Sequence, residues 1–329
     1  MIKSILITGG TGSFGQAFVK TILSRYKNIK RLVVFSRDEQ KQFFMSQKFT
    51  EKKYPSLRFF IGDVRNRDRL RRALDGIDCV IHAAALKHVP AGEYNPIEFI
   101  QTNIIGAQNL IEACIDAQVK QVVALSTDKA AAPINLYGAT KLCSDRLFIS
   151  ANDYSGHSVN FSVVRYGNVF GSRGSVVPLF LEKKKEGVLP ITHKDMTRFN
   201  VTLKDGVEMV LWAIKNSLGG EIFVPKTSSY KLLDLAKAIS PKCKIKVIGI
   251  RPGEKIHEEL ITKSDSFSTV DLGKYFAILP NSNKKNIDSY LKKKGGKKVN
   301  IQSYNSKDNN NYLNVKQIQN LLKDYLDQN

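Results

Sequence analysis

SILITGGTGSFG, residues 4–15, passes from a short apolar run into a glycine-rich segment, and a helical pattern continues to about Arg25. Strand, tight turn and helix in that order let a backbone approach a pyrophosphate. Glycines remove the side chains that would block the approach, and the helix N-terminus supplies free N–H groups and a favourable dipole. The spacing Gly9-x-x-Gly12-x-x-Gly15 is one residue wider than the strict dinucleotide fingerprint and keeps its physical logic. Gly9, Thr11, Gly12, Ser13, Phe14 and Gly15 are therefore the expected contacts to a dinucleotide.

Strands and helices alternate outward from this point. A second strand at about 31–35 ends in Ser36-Arg37-Asp38, with Lys41 one turn on. A site for NAD usually places an acid there for the ribose 2′-hydroxyl. Arg37 suits a 2′-phosphate instead, so NADP is the expected cofactor, and Asp38 can open the next helix as a first-turn acid. A third strand at about 57–62 leads to Asp63 and Val64, placed to meet the adenine edge. A fourth begins at Cys79 and runs into Ala83, Ala84 and Ala85, small enough for a cofactor to lie close. Lys87 follows at a strand's carboxyl end, where open α/β sheets bind ligands. His88 beside it reads as a solvated loop residue. Residues 96–117 read as one long amphipathic helix containing Asn103, a polar residue that needs a partner there. A sixth strand spans about 161–171. The pattern is α/β: a doubly wound parallel (Rossmann) sheet over residues 1–168, with return segments near 201–226. A smaller substrate-binding domain takes up most of residues 169–329.

The chemistry concentrates in QVVALSTDKAAAPINLYGATK, residues 121–141. A buried strand runs into Thr127, Asp128 and Lys129, and a helix opens near Tyr137. Tyr137 and Lys141 are spaced i, i+4 and share a helical face. A phenol is a poor base at its free pKa of about 10, and a neighbouring cation favours the phenolate. The pair alone is weak, because such spacings arise by chance. Behind Ser-Thr-Asp-Lys and a glycine-rich first turn it becomes specific.

In the C-terminal half, Thr192, Lys194 and Arg198 precede a strand-like segment. IKVIGIRPGEKIHEELIT places Arg251 and Glu254 on a loop before an expected helix. Residues 284–298, KKNIDSYLKKKGGKK, read as a mobile basic loop. Val315, Ile318, Leu321, Leu322 and Tyr325 then mark a closing helix, with Asn314 as N-cap and Gln317 three residues on.

Lysine and arginine number 51 against 30 acids, for a net charge of +21. The basic run holds one aromatic, Tyr290, and makes a poor stacking platform, so nucleic acid is not the expected partner. The four cysteines are scattered, which argues for free thiols and against a metal site. No apolar run is long enough to span a bilayer, and the chain enters a core strand at once, so the expectation is a cytoplasmic protein without a membrane partner.

From Gly9-x-x-Gly12-x-x-Gly15, Asp63, Asn103 and Tyr137-x-x-x-Lys141, the whole chain resembles the extended short-chain dehydrogenase/reductases. STDKAAAPINLYGATKLCSDRLF, RYGNVFGSRGSVVP, DMTRF and RPGEKIHEEL narrow the resemblance to the inverting UDP-N-acetylglucosamine 4,6-dehydratases that begin pseudaminic acid synthesis. Its most specific element is Thr127-Asp128-Lys129, where retaining sugar-nucleotide dehydratases carry Asp-Glu. The resemblance implies that Tyr137 and Lys141 oxidise C4 of the sugar with NADP, and that Thr127 orients the hydroxyl. It implies that Asp128 is the acid and Lys129 the base of a water elimination, with the Lys129 pKa lowered. It further implies contacts of Asn103, Tyr137 and Lys141 to the cofactor, and of Lys87, Asn168, Val176, Thr192, Met196, Arg198, Arg251 and Glu254 to a UDP-sugar. It implies a dimer-based homo-oligomer, up to a hexamer, serving glycosylation of surface proteins such as flagellin. A nucleotide-sugar 4-epimerase or a retaining 4,6-dehydratase on the same scaffold is the alternative. Phe199-Asn200-Val201 departs from the family, which places a bulkier apolar residue after the phenylalanine.

Overall fold

A computed structural model describes residues 2–327. The first six strands are β1 (Ser4–Thr8), β2 (Arg31–Ser36), β3 (Leu57–Ile61), β4 (Cys79–His82), β5 (Gln121–Thr127) and β6 (Asn160–Tyr166). Shorter ones follow: β7 (Asn168–Val169), β8 (Val188–Ile191), β9 (Thr197–Val201), β10 (Ile222–Pro225), β11 (Ser229–Lys231) and β12 (Lys244–Val247). The last are β13 (Glu259–Ile261), β14 (Thr269–Asp271), β15 (Tyr275–Ile278), β16 (Lys297–Lys298) and β17 (Tyr304–Asn305).

The main sheet has ten strands in the order β16-β14-β15-β10-β6-β5-β4-β1-β2-β3. From β3 through β10 the neighbours run parallel. β15, β14 and β16 then extend the edge antiparallel. The order 3-2-1-4-5-6 is that of a doubly wound Rossmann sheet, and its strand order reverses between β1 and β4. Alternating side chains bury both faces. Leu6, Val33, Val80, Val122 and Phe161 pack into one core layer, and Ile5, Ile7, Val34, Ile81 and Val164 into the other. A third core, built from Phe180, Leu189, Ile191, Met196, Leu235, Ile318 and Leu322, lies in the C-terminal half.

Four sequence expectations change. The expected helix over 96–117 is interrupted. Pro96–Phe99 and Gly106–Asp116 are helical, and a wide i→i+5 turn at Ile100–Ile105 separates them. That wide turn carries Asn103, and such turns recur at functional positions. The sixth strand stops at Tyr166, and Asn168–Val169 leaves the sheet to pair with β9. The segment after Glu254 is a strand, not a helix, because Leu260 and Ile261 are buried and β13 pairs with β17. The basic run is ordered. Lys284–Lys294 is a helix with Ile287 buried and Tyr290 bonded through its hydroxyl to Glu221, and Lys297–Lys298 pairs with β14. The closing helix Val315–Leu326 forms with the expected reciprocal cap between Asn314 and Gln317. All four cysteines are free, and burial pushes the Cys79 thiol up to about 12. Among the described residues no helix is long and apolar enough to cross a membrane.

Candidate active site

The glycine-rich turn abuts the chain leaving β4, as the strand reversal requires. Gly9 has φ +65°, and a β-carbon there would lie 2.9 Å from the Ala84 backbone. Thr8 fastens the two loops. Its hydroxyl accepts from the N–H groups of Ala83 and Ala84, each at 3.2 Å, and bonds His82 Nδ1 at 2.9 Å. Burial holds His82 down to about 3, so its ring is neutral. Gly12 precedes the helix Ser13–Arg25, and no side chain caps the first-turn N–H groups. Such an end accepts a phosphate.

At the end of β2, Asp38 is the N-cap of the helix Glu39–Lys48. It accepts from the Lys41 backbone at 2.9 Å and pairs with the Lys41 ammonium at 2.6 Å. The Ser36 hydroxyl accepts from Gln42. Arg37 stays half exposed, 3.6 Å from Asp63. Asp63 is itself engaged by Arg65, whose guanidinium and backbone N–H all donate to it at 2.8–2.9 Å. The Val64 side chain is buried in the core, so it can meet an adenine only through its backbone. Asn103 is likewise a bolt and not a free ligand. Its carbonyl accepts from Leu86 N, and its amide donates to Leu86 O and Thr140 Oγ1. It thereby ties the loop after β4, where Ala85 is exposed, to the helix bearing Tyr137 and Lys141.

That helix, Leu136–Tyr154, is capped by Asn135, which accepts from Gly138 N. A β-carbon on Gly138 would lie 2.2 Å from the Lys129 carbonyl oxygen, so glycine lets the helix press against the Asp128–Ala130 turn. The loop carrying Arg251 and Glu254 is latched to the same place. Asn135 donates to Gly253 O at 2.7 Å, and Lys255 donates to Ala131 O at 2.6 Å.

The result is a knot of charge. Lys129 Nζ lies 3.0 Å from Asp128 Oδ1 and 3.1 Å from Glu258 Oε1. Thr127 donates to Asp128 Oδ1 at 3.0 Å, and its hydroxyl helps to lower the Tyr137 pKa against burial. Arg198, buried, reaches Glu254 at 3.5 Å and Glu258 at 3.8 Å. Asp128 is 0% exposed and Glu258 2%. Each has one buried oxygen without a hydrogen-bond partner. Burial and the charge of Glu258 raise the Asp128 pKa. Against burial, Lys129, Arg198 and Lys255 hold Glu258 below its usual range. One ammonium thus faces two unlike carboxyls, Asp128 inclined to keep a proton and Glu258 to lose one.

The Lys129 pKa moves opposite to the expectation. Burial lowers it, but Asp128 and Glu258 together hold the ammonium well above the lysine range. Burial pushes the Tyr137 phenol up to about 12, and Lys129 is the cation opposing that shift. Lys141, 3% exposed, is lowered by burial and answered by Asp145. Asp145 in turn pairs with the fully buried Arg165 at 3.3 Å.

Lys87 donates to Arg173 O, and burial and Lys129 lower its pKa. His88 is exposed, as expected. Asn168 presents a buried carbonyl oxygen without a partner, as does Asn200, its register neighbour on β9. Val176 opens the helix Val176–Lys183. Met196 is 1% exposed and packs in the third core, its sulfur accepting from the buried Thr192, so these two support the site from beneath and do not line it. Arg251 is exposed, and its backbone N–H donates to Glu254. Sequence reasoning missed Glu258. With HEEL read as a helix the period was wrong, whereas strand alternation sends Glu258 inward and leaves Glu259 partly exposed. Among the described residues no group of His, Cys, Asp and Glu is arranged to hold a metal.

Residues 5–280 match the family described as polysaccharide biosynthesis protein. A Campylobacter jejuni subsp. jejuni serotype O:2 protein named UDP-N-acetylglucosamine 4,6-dehydratase (inverting) is 54% identical over 84% of this chain and 83% of its own. A Rickettsia canadensis protein named UDP-glucose 4-epimerase is 42% identical over 97% of this chain and 95% of its own. The X-ray structure of Pen from Bacillus thuringiensis superposes with a TM-score of 0.88 at 38% identity, covering 98% of both chains. A glycine turn locked against β4, a tyrosine and lysine on one helix face, and these likenesses agree: the chain belongs to the polysaccharide biosynthesis protein family, on the branch it shares with the inverting UDP-N-acetylglucosamine 4,6-dehydratases.

Proposed function

We propose that the chain converts UDP-N-acetylglucosamine to UDP-2-acetamido-2,6-dideoxy-β-L-arabino-hex-4-ulose, as an NADP-dependent, configuration-inverting 4,6-dehydratase. The observation that carries the reading is the Lys129 ammonium between two buried carboxyls, next to Thr127 and Tyr137. An oxidoreductase that stopped at C4 has no use for a second acid–base pair.

The residues fit a nicotinamide dinucleotide. The Gly9–Ala84 approach and the uncapped helix start at Ser13 suit its pyrophosphate. With Asp38 tied down as a cap, Arg37 and Lys41 favour a 2′-phosphate. When bound, NADP⁺ would supply a hydride acceptor for the sugar C4 and, once reduced, a hydride donor for C6. Tyr137 removes the proton of the C4 hydroxyl, and Thr127 orients that hydroxyl. The resulting ketone acidifies C5. Lys129, as its free amine, takes the C5 proton, while Asp128 protonates the departing C6 hydroxyl. A buried carboxyl with a raised pKa suits that task. Lys129 then returns a proton to C5 on the opposite face, which inverts it. The proton Tyr137 gained and the proton Asp128 lost are equal in number, so the proton count closes over the cycle, and Thr127 is bonded to Asp128.

Lys87, Asn168, Arg198, Arg251 and Glu254 surround the UDP-sugar in this reading. Arginine is suited to a diphosphate by its planar fork. Residues 1–168, with return segments near 201–226, bind the cofactor, and 169–329, which contain the third core, mainly bind the UDP-sugar. Tyr94, Ile97, Ile105 and Ile134 are exposed, which supports a dimer-based oligomer. The product feeds pseudaminic acid synthesis in the cytoplasm, for glycosylation of surface proteins such as flagellin. Mass spectrometry of the product tests the reading: it predicts a sugar nucleotide lighter by one water. A product of unchanged mass would favour the epimerase.

A further inference from the structure

Glu258 has no task in the steps above, yet it is among the most enclosed charges in the molecule. It is 2% exposed, with Oε1 3.1 Å from Lys129 Nζ and 3.8 Å from Arg198 Nε. Its backbone N–H donates to Ser306 Oγ, which also bonds Thr197, so the backbone entering β13 is fixed at this residue. A carboxylate so deep costs several kcal/mol to desolvate unless it is paired.

The elimination needs an amine at Lys129 and an acid at Asp128 together. Lys129 rests as an ammonium, so its proton must leave first. Asp128 is a poor destination. It has no exposure, Lys129 is its one ion-pair partner among the described residues, and it already holds the proton meant for the C6 hydroxyl. Glu258 lies at nearly the same distance on another side of the ammonium and rests ionised. We propose, resting on the dehydratase reading, that Glu258 is a positioning residue that accepts the Lys129 proton and so frees the amine to act at C5. An N–H bond of Lys129 breaks, an O–H bond at Glu258 Oε1 forms, and the buried ion pair becomes a neutral amine and acid. No electron moves between redox states. When Lys129 takes the C5 proton it is an ammonium again. After it returns a proton to C5, Glu258 gives its own back to Lys129, and the pair is restored.

The proposal predicts separate effects on two steps. Glu258→Gln keeps the shape and an accepting oxygen but is not a base. In a single turnover in D₂O, removal of hydride from C4, followed by reduced-cofactor absorbance, stays within about threefold of wild type, whereas C5 deuterium uptake falls about 100-fold near neutral pH. In this variant Lys129 must release its proton to solvent, so C5 uptake climbs with pH where the wild type is flat. Glu258→Asp keeps a carboxylate one methylene further away. It lowers the ratio of C5 uptake to C4 oxidation and keeps the flat profile, and it decides the matter if the glutamine variant does not fold. Equal losses at C4 and C5 with an unchanged profile, or uptake at the wild-type rate in Glu258→Gln, would overturn the proposal. An unchanged ratio in Glu258→Asp would do so too. Failure of the wild type itself to exchange C5 would instead remove the dehydratase reading, so the two failures are distinguishable.

Discussion

Replacing Lys129 with methionine keeps the length of the side chain and removes the one cation between Asp128 and Glu258. Both carboxyls stay buried, one at 0% and one at 2% exposure. Breaking a buried pair by deleting one partner costs about 3–5 kcal/mol. Arg198 remains 3.8 Å from Glu258, so the lower end of that range, about 3 kcal/mol, applies. With an unfolding entropy of roughly 0.7 kcal/mol/K for 329 residues, the loss corresponds to a fall of about 4 °C in Tm. The pH dependence gives the sharper check. Without the ammonium, burial and mutual repulsion raise the already raised Asp128 carboxyl further, and Glu258 loses the largest of the charges that hold it down. A raised carboxyl makes the folded state bind more protons, so stability falls as pH rises through the folded pKa and recovers below it. The deficit of Lys129→Met is therefore largest in the neutral to alkaline range and shrinks toward about pH 5. Thermal melts of both proteins across that range measure it. A variant as stable as wild type at neutral pH, or a deficit that widens on acidification, would refute the placement of Lys129 between two buried acids.

Arg37→Ala removes the half-exposed cation at the end of β2 while Asp38 stays tied to Lys41. It should weaken NADP by about tenfold and leave NAD within about twofold in a fluorescence titration, the size expected for one lost charge-assisted contact. Gly9→Ala forces a β-carbon to 2.9 Å from the Ala84 backbone at φ +65°. It should cost more than about 1 kcal/mol in denaturant unfolding and abolish retention of the dinucleotide through gel filtration. Asn103→Ala breaks bonds to Leu86 N, Leu86 O and Thr140 Oγ1. It should cost about 2–4 kcal/mol in the same unfolding assay and lower turnover by loosening the loop against the Tyr137 helix.

The nucleotide half was the easier to read from sequence because its signals are local. A strand, a glycine turn and a helix within residues 4–25 leave few alternatives, and β2 and β5 announce themselves by apolar runs. Tyr137, Lys141, Asp128 and Lys129 are legible as candidates because they lie within one short stretch. Their electrostatics were not legible. The sign of the Lys129 shift depends on Glu258, 129 residues away in sequence and brought in by the latch of Gly253 and Lys255 to the Asn135 region. Glu258 itself was hidden by a period error, since EKIHEEL suits a helix by propensity and becomes a strand only because β17 is there to pair with it. The basic run misled for a similar reason. Its lysines suggest a solvated loop, and only the burial of Ile287 and the Tyr290–Glu221 bond explain why Lys284–Lys294 holds as a helix. Asn103 was picked correctly as a polar residue in need of partners, but the partners turned out to be backbone and Thr140.

The central claim is that a lysine, not a carboxylate, handles the hydrogen at C5. Incubation with UDP-N-acetylglucosamine in D₂O, followed by NMR of the product, tests it most directly. The account predicts a 6-deoxy-4-keto sugar with deuterium at C5 and the L-arabino configuration, and loss of that deuterium in Lys129→Met. A D-xylo product, or a sugar that keeps its C6 oxygen and the original hydrogen at C5, would contradict it.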